Sequence, residues 1–464
     1  MQRILVGIVI LLGCLGSISH AAEEKMVAAD LSQIKVLDLQ SAQSIALMGN
    51  PNMEAAQSRV EQARARVRQA AATWWPSLDL TGSGARQRFS NTTYQYNQAL
   101  ASLAHSSVDQ TNDNYSAGLQ ATWVLFDGFY RTFKEQQAAY DEQSVAAALT
   151  DSRRLLVTSV ADAFLNAQLA QTNIDIARAD EAFYTRQLED AQNRYNVGAG
   201  PWGDVLNIKV QLNSAKTSLM RYQREFEAAG YGLAALLGLP DAQFPSQVRL
   251  EALDKESKTA GLQKTPETLI KEALAARPDI RRLEMVIKQA EATTGMAKAP
   301  FYPKVQVAGK AEGQRVGNTG FSGDDFGNTV AMNMSWNLYA GGADKARLFE
   351  AEQAKRETAY TLAGLRNSVT AEIRQDLALL ASAQEQVRLQ RETVKLVQEN
   401  RDLAKNEYEA GEAALVRLNE AQRDLTTTHG RLAQALVSYH LATQRLLSAT
   451  GQNLVAVDRA ATKK

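Results

Sequence analysis

Histidine and cysteine are the side chains best suited to hold a metal, or to act as base or nucleophile near neutral pH. This chain has four His and one Cys in 464 residues. The histidines are His20, His105, His429 and His440. His429 and His440 are 11 residues apart, about three helical turns, too far to share one ion. The single Cys14 excludes an intrachain disulfide and any multi-cysteine zinc or iron–sulfur site. No Gly-x-Ser-x-Gly elbow occurs. Gly341-Gly342 is followed by Ala343-Asp344 rather than by Lys and Ser or Thr, so it reads as a strand-to-helix break and not as a phosphate loop. These residues point away from an enzyme and imply no cofactor. The chemistry of the chain must lie in what its elements enclose.

The bulk properties agree. Lys+Arg and Asp+Glu both number 51, so the net charge is zero, and a nucleic-acid partner is not expected. Hydrophobic residues make up 45% and charged residues 22%, which excludes wholesale disorder. Only 9 prolines occur, and they leave long Ala/Gln/Glu/Arg-rich stretches free to be helical. Residues 1–22 read as a secretory signal: Arg3, then the apolar Ile4 to Leu15, then Ser19-His20-Ala21 at a cleavage site. Leu11-Leu12-Gly13-Cys14 offers a second reading as a lipobox with an acylated Cys14. The short apolar segment left by a lipobox favours ordinary cleavage. On either reading the chain leaves the cytoplasm.

The chain is duplicated. Asn50-Pro51-Asn52 and Trp75-Pro76-Ser77-Leu78 match Arg277-Pro278-Asp279 and Tyr302-Pro303-Lys304-Val305 at an offset of 227. Trp123 to Gly128 matches Trp336 to Gly341 at an offset of 213, as Tyr195-Asn196-Val197-Gly198 matches Tyr408-Glu409-Ala410-Gly411. Gly238 and Gly451 close the copies. Shared Pro, Trp and Gly anchors are not explained by two Ala-rich helices aligned on composition. Each copy predicts helix, strand, loop, strand, very long helix, tight turn and helix. The copies span 38–240 and 266–452. Pro-punctuated residues 241–265 link them and 453–464 form a tail.

Period-two alternation predicts strands over 77–86, 116–126, 304–312 and 328–338, with Leu119, Trp123, Met332 and Trp336 on the apolar phase. A soluble sheet would bury that face in a core; an outer-membrane barrel would turn it to lipid. Aromatics gather at the strand ends: Trp75, Trp123 and Phe126, then Tyr302, Trp336 and Tyr339. That is the pattern of an interfacial girdle. The loops at 86–115 and 313–328 are polar and suit an exposed rim. Four strands cannot close a barrel, and an open edge in lipid leaves backbone groups unpaired, so a barrel requires oligomerisation. From Phe129 to Val197 there is neither Pro nor Gly, which predicts a rod of about 100 Å; Ala343 to Ala410 is its counterpart. A periplasmic coiled-coil scaffold with small sheets is the alternative to a membrane duct.

With strand pair, long helix and tight turn found twice, the chain resembles the TolC family of outer-membrane factors along essentially its whole mature length. The resemblance rests on the duplication and on the turns Arg194 to Asn207 and Glu407 to Glu420. It implies a mainly α fold of long hairpins forming an α-barrel. Four strands per protomer would join a transmembrane β-barrel, closed as 12 strands by a homotrimer in outer-membrane lipid. It also implies a periplasmic adaptor and an inner-membrane pump or ABC exporter as partners, with efflux or type I secretion as the task. The aperture and docking residues it implies are Tyr195, Gly198, Asp204, Tyr408, Gly411, Arg417 and Glu420. The family often has acids at the second-copy turn; this chain has Arg417 there, opposite Asp204 of the first copy, so these two charges are expected to face each other across neighbouring hairpins. The Leu15 to His20 segment lacks the Tyr and Pro usual after an acylated Cys.

Overall fold

The computed structural model describes residues 35–245, 247–253, 265–455 and 457. The signal segment, Cys14 and residues 246 and 254–264 of the link lie outside the described residues. The first copy runs β1 (Val36–Leu37), α1 (Leu39–Gly49), α2 (Pro51–Ala72), β2 (Ser77–Arg88), α3 (Asn91–Leu103), β3 (Thr111–Phe126), α4 (Tyr130–Asn196) and α5 (Trp202–Leu237). After β4 (Arg249–Leu250), the second runs α6 (Pro266–Ala276), α7 (Pro278–Ala297), β5 (Lys304–Val316), β6 (Phe326–Ser335), α8 (Ala343–Glu409) and α9 (Leu415–Ala449). Helix starts follow local chemistry. Asp38 accepts from the Ser41 amide at 2.6 Å, Asn50 accepts from Asn52, and Pro51, Pro266 and Pro278 sit at first helical positions, where a missing N–H costs nothing.

The four long strands form one antiparallel sheet in the order β2-β3-β5-β6. Helix α2 packs on α4, α4 on α7 and α7 on α8. Because α2 precedes β2, α4 follows β3, α7 precedes β5 and α8 follows β6, the helices repeat the order of the strands. The protomer is therefore one wall, four elements wide, that changes from sheet to helix. Two further helices, α5 and α9, fold back along α4 and α8.

The joint between sheet and helices is duplicated too. The Trp123 indole donates to the Trp74 carbonyl at 3.0 Å, and the Trp336 indole donates to the Phe301 carbonyl at 3.3 Å. Gly128-Phe129 and Gly341-Gly342 are consecutive left-handed pairs that turn each strand into its helix. The chain ends β6 at Ser335, so Trp336 and Tyr339, expected at or beside a strand end near 338, lie beyond it. The 86–115 segment also differs from the polar loop expected. Strand pairing runs on to Arg88–Thr111, and Asn91–Leu103 is helical, capped by Ser90. The connector residues 249–250 pair in parallel with Val36–Leu37.

Each copy has its own main core cluster. One cluster joins Leu37, Phe164, Leu233 and Leu237; another joins Ile280, Ile373, Val437 and Leu446. Gly238 and Gly451 both end helices with positive φ, 73° and 71°. A Cβ on Gly238 would sit 2.1 Å from the Gly49 carbonyl oxygen, whereas on Gly451 the nearest atom is 3.6 Å away. Gly238→Ala therefore combines left-handed strain with a backbone clash, about 2–4 kcal/mol together, and Gly451→Ala carries the strain alone. Thermal melting of the extracted protein should show the larger loss at Gly238; equal losses would contradict this packing.

Buried charge crosses the same region. Arg277 is 5% exposed, forks onto Asp279 through two hydrogen bonds and reaches Glu372 at 2.6 Å. Asp376 lies nearby, its carboxyl pushed up to about 6, first by burial and then by the Glu372 charge, against the pull of Arg445 and Arg277. Asp162 is raised in the same way by burial, and its Oδ1 has no partner. The folded Asp376 keeps its proton at a pH where the unfolded side chain has lost it. Its contribution to stability is thus full below about pH 4 and falls as pH rises through about 6. Asp376→Asn should raise the melting temperature at pH 8 and leave it unchanged near pH 4. A gain that is the same at both pH values would refute this.

Candidate functional site: the sheet wall and the hairpin tips

Cross-strand register divides the sheet into two faces. Leu80, Leu119 and Ala311 are neighbours on one face, as are Trp123, Val307 and Met332. On the other, Asp79, Gln120, Lys310 and Thr329 align. The apolar face is uncovered: Leu80 is 82% exposed, Val330 81% and Met332 70%. In water, a contiguous apolar sheet face of this size would be unstable. Aromatic residues gather at the end of the sheet that joins the helices. Trp75, Trp123, Tyr302, Trp336 and Tyr339 are exposed, and Phe126 stacks edge-on to Phe129, which meets Tyr302 the same way.

Sequence reading missed the other edge. Tyr115 and Phe326 continue the apolar phase at the far end; Arg315, opposite Tyr115, pairs with Asp325, and Arg86 pairs with Asp113 beyond Tyr115. From Trp123 to Tyr115 the strand climbs about 27 Å, enough to cross the hydrocarbon when tilted. The missed signal was the return of charge after an apolar run on the same phase. Among the described residues no helix is long and apolar enough to cross a membrane; the apolar band belongs to the sheet.

At the other end are the hairpin tips. Gly198 has φ 75° and Gly411 φ 81°. In each, the amide after the glycine reaches back to close a Schellman-type cap: Ala199 to the Arg194 carbonyl, and Glu412 to the Glu407 carbonyl, both 2.8 Å. Tyr195 lies 5.0 Å, ring to ring, from Trp202. Tyr408 takes the Arg194 guanidinium over its ring at 5.2 Å and its hydroxyl donates to Asp204 at 3.4 Å. Burial first, then the Asp204 charge, pushes the Tyr408 hydroxyl above its ordinary pKa. Arg417 is 3.2 Å from Glu407, and Glu420 is exposed. Within one protomer Asp204 and Arg417 thus have separate partners, Tyr408 and Glu407. Opposite charge at matched positions was visible in the sequence; the nearer partners, across the same tip or on the neighbouring hairpin, were not. Val205, Ile208, Leu212 and Leu415 form the apolar base of the tips.

A wall of four strands carrying an uncovered apolar belt, continued by rods into paired tips, defines an outer-membrane channel subunit with a helical extension. The match to the outer membrane efflux protein family model covers residues 42–239 and 269–452, and the chain belongs to that family. It is 25% identical over 410 residues to the probable efflux pump outer membrane protein TtgC of Pseudomonas putida, covering 87% of this chain and 80% of that one. It is 24% identical over 405 residues to the cation efflux system protein CusC of Escherichia coli, covering 84% and 81%. The fold superposes on the CmeC outer membrane channel of Campylobacter jejuni with a TM-score of 0.77 at 16% identity, covering 89% of this chain and 86% of that one. The chain is an efflux channel of the outer membrane with a long periplasmic extension, and the scaffold alternative is set aside. The family is one of channels, not of enzymes.

Proposed function

We propose that three copies close edge to edge into one duct, which takes cargo from an inner-membrane pump through a periplasmic adaptor. The observation that carries this reading is the sheet with two open edges, β2 and β6, beside an exposed apolar face. In lipid each unpaired edge group costs several kcal/mol, so closure by further copies is required. Three four-stranded sheets give the 12 strands that the resemblance implies. Relatives named as pump components support the partnership with an adaptor and a pump. The tips around Tyr195, Gly198, Tyr408 and Gly411 are the proposed docking surface. Asp204, Arg417 and Glu420 are the proposed charges of the aperture.

Extraction tests this. Membranes should release the protein only with detergent, as trimers that resist heating in gels; release by a salt wash would favour a scaffold. The aperture has its own test. The Tyr408–Asp204 contact is long and partly exposed, so its loss costs at most about 1 kcal/mol. Tyr408→Phe should raise single-channel conductance modestly. Asp204→Ala and Arg417→Ala should act additively if each charge serves its own partner. A double variant no more open than either single would instead restore a shared Asp204–Arg417 contact between protomers.

A further inference from the structure

A cavity of about 840 Å³ lies in the corner where sheet becomes helix. Its sheet side is Val124, Lys304 and Ser335. All three lie on the polar phase, since Val124 pairs with Gln306 and Lys304 with Ser335. The cavity therefore opens to the side away from the lipid belt. Its helical side comes from α4, α7 and α8, with Met296, Ala299, Pro300, Ala351 and Ala354 making an apolar floor.

Four cations line this corner, Arg131, Lys134, Lys304 and Arg347, against two carboxylates, Asp127 and Glu350. Arg131 is spoken for: it is buried and bonded to Asp127 at 2.8 Å and to the Thr73 and Leu125 carbonyls. Arg347 has Asp344 at 3.1 Å, one turn away. Lys134 and Lys304 have no ion-pair partner among the described residues. Two uncommitted ammonium groups above an apolar floor suit a ligand with an apolar body and one or two negative charges. Such a site favours charge-assisted hydrogen bonds at the rim and hydrophobic burial below it. Neither lysine belongs to the joint hydrogen bonds of Trp123 and Trp336, so the wall does not need them.

We infer that this corner is a binding site for small amphiphilic anions on the export path, held by Lys134 and Lys304 over the apolar floor. The inference rests on the reading of the chain as a duct. Its size admits a two-ring aromatic sulfonate. Equilibrium dialysis of 2-naphthalenesulfonate against the full-length protein in lipid nanodiscs tests it, with empty discs as the blank. The expected result is saturable binding, one per chain, weakened about a hundredfold or more in Lys134→Gln/Lys304→Gln, since losing each of the two charged contacts weakens binding about tenfold or more. The matched cation 2-naphthyltrimethylammonium should not bind saturably. Anion uptake no greater than in empty discs, equal binding by the double variant, or equal binding of the cation would overturn the site. The oligomer in the same discs is weighed separately. Monomers that still bind the anion would overturn the trimeric duct and leave the site standing.

Discussion

Efflux is expected to fail when Gly198 and Gly411 are both replaced by valine, while heat-resistant oligomers persist in the membrane. Both glycines hold positive φ, and no atom lies within 4 Å of the position a Cβ would take. The substitution therefore creates no clash, and its effect is conformational. A β-branched residue in the left-handed region costs about 1–2 kcal/mol, and more when two tips are forced at once. That is small against the stability of the wall, whose core clusters lie far from the tips in sequence. It is large for a turn, since each 1.4 kcal/mol changes a conformer ratio about tenfold. Each tip would abandon its cap and present a different surface to the adaptor. Gly198→Asn/Gly411→Asn is the control, because Asn accepts the left-handed region. Dye efflux from cells, with oligomers measured on gels, separates the outcomes. Undiminished efflux in the valine pair would remove the tips from coupling.

The second large effect is expected at Leu80. This side chain is 82% exposed and pairs across the sheet with Leu119, midway along β3 between Trp123 and Tyr115. Leu80→Arg would place a guanidinium on the lipid face near mid-band, at about 2–4 kcal/mol. Its neighbour Thr81 lies on the polar face, opposite Gly118, so Thr81→Arg should assemble normally. The yield of heat-resistant oligomer in membranes should fall for the first and not for the second. Equal yields would mean that the two faces of the sheet have been assigned wrongly.

Much of this architecture can be read from residues. The duplication is visible because its anchors are residues with special backbone or packing needs. Gly198 and Gly411 cap, Pro51 and Pro278 start helices, and Trp123 and Trp336 bond to matching carbonyls across the joint. The two faces are visible because a strand has period two, so Leu119 and Met332 declare their side without any knowledge of neighbours. Strand ends are less visible. The alternation continues through Trp336 to Leu338, yet pairing stops at Ser335, ahead of the left-handed Gly341-Gly342 elbow. Helix α3 was hidden by its polar start, Asn91-Thr92-Thr93, although Ser90 is a proper cap and Gln98 to Leu103 favours helix. The tips show the limit most clearly. Sequence supplies Asp204 and Arg417 at equivalent positions, but a side chain takes the partner its packing offers. Tyr408 reaches Asp204 because two hairpins pack together on Val205, Ile208 and Leu415.

The central claim is that identical walls close around one axis in the outer membrane. An electron-microscopic reconstruction of the detergent-extracted protein tests it most directly. The account predicts three copies, β6 of each hydrogen-bonded to β2 of the next, an unbroken barrel inside the detergent belt, and a continuous lumen running down into the helical tunnel. A particle in which β2 and β6 remain unpaired, or in which the detergent belt surrounds something other than the Leu80–Trp123–Met332 face, would contradict it.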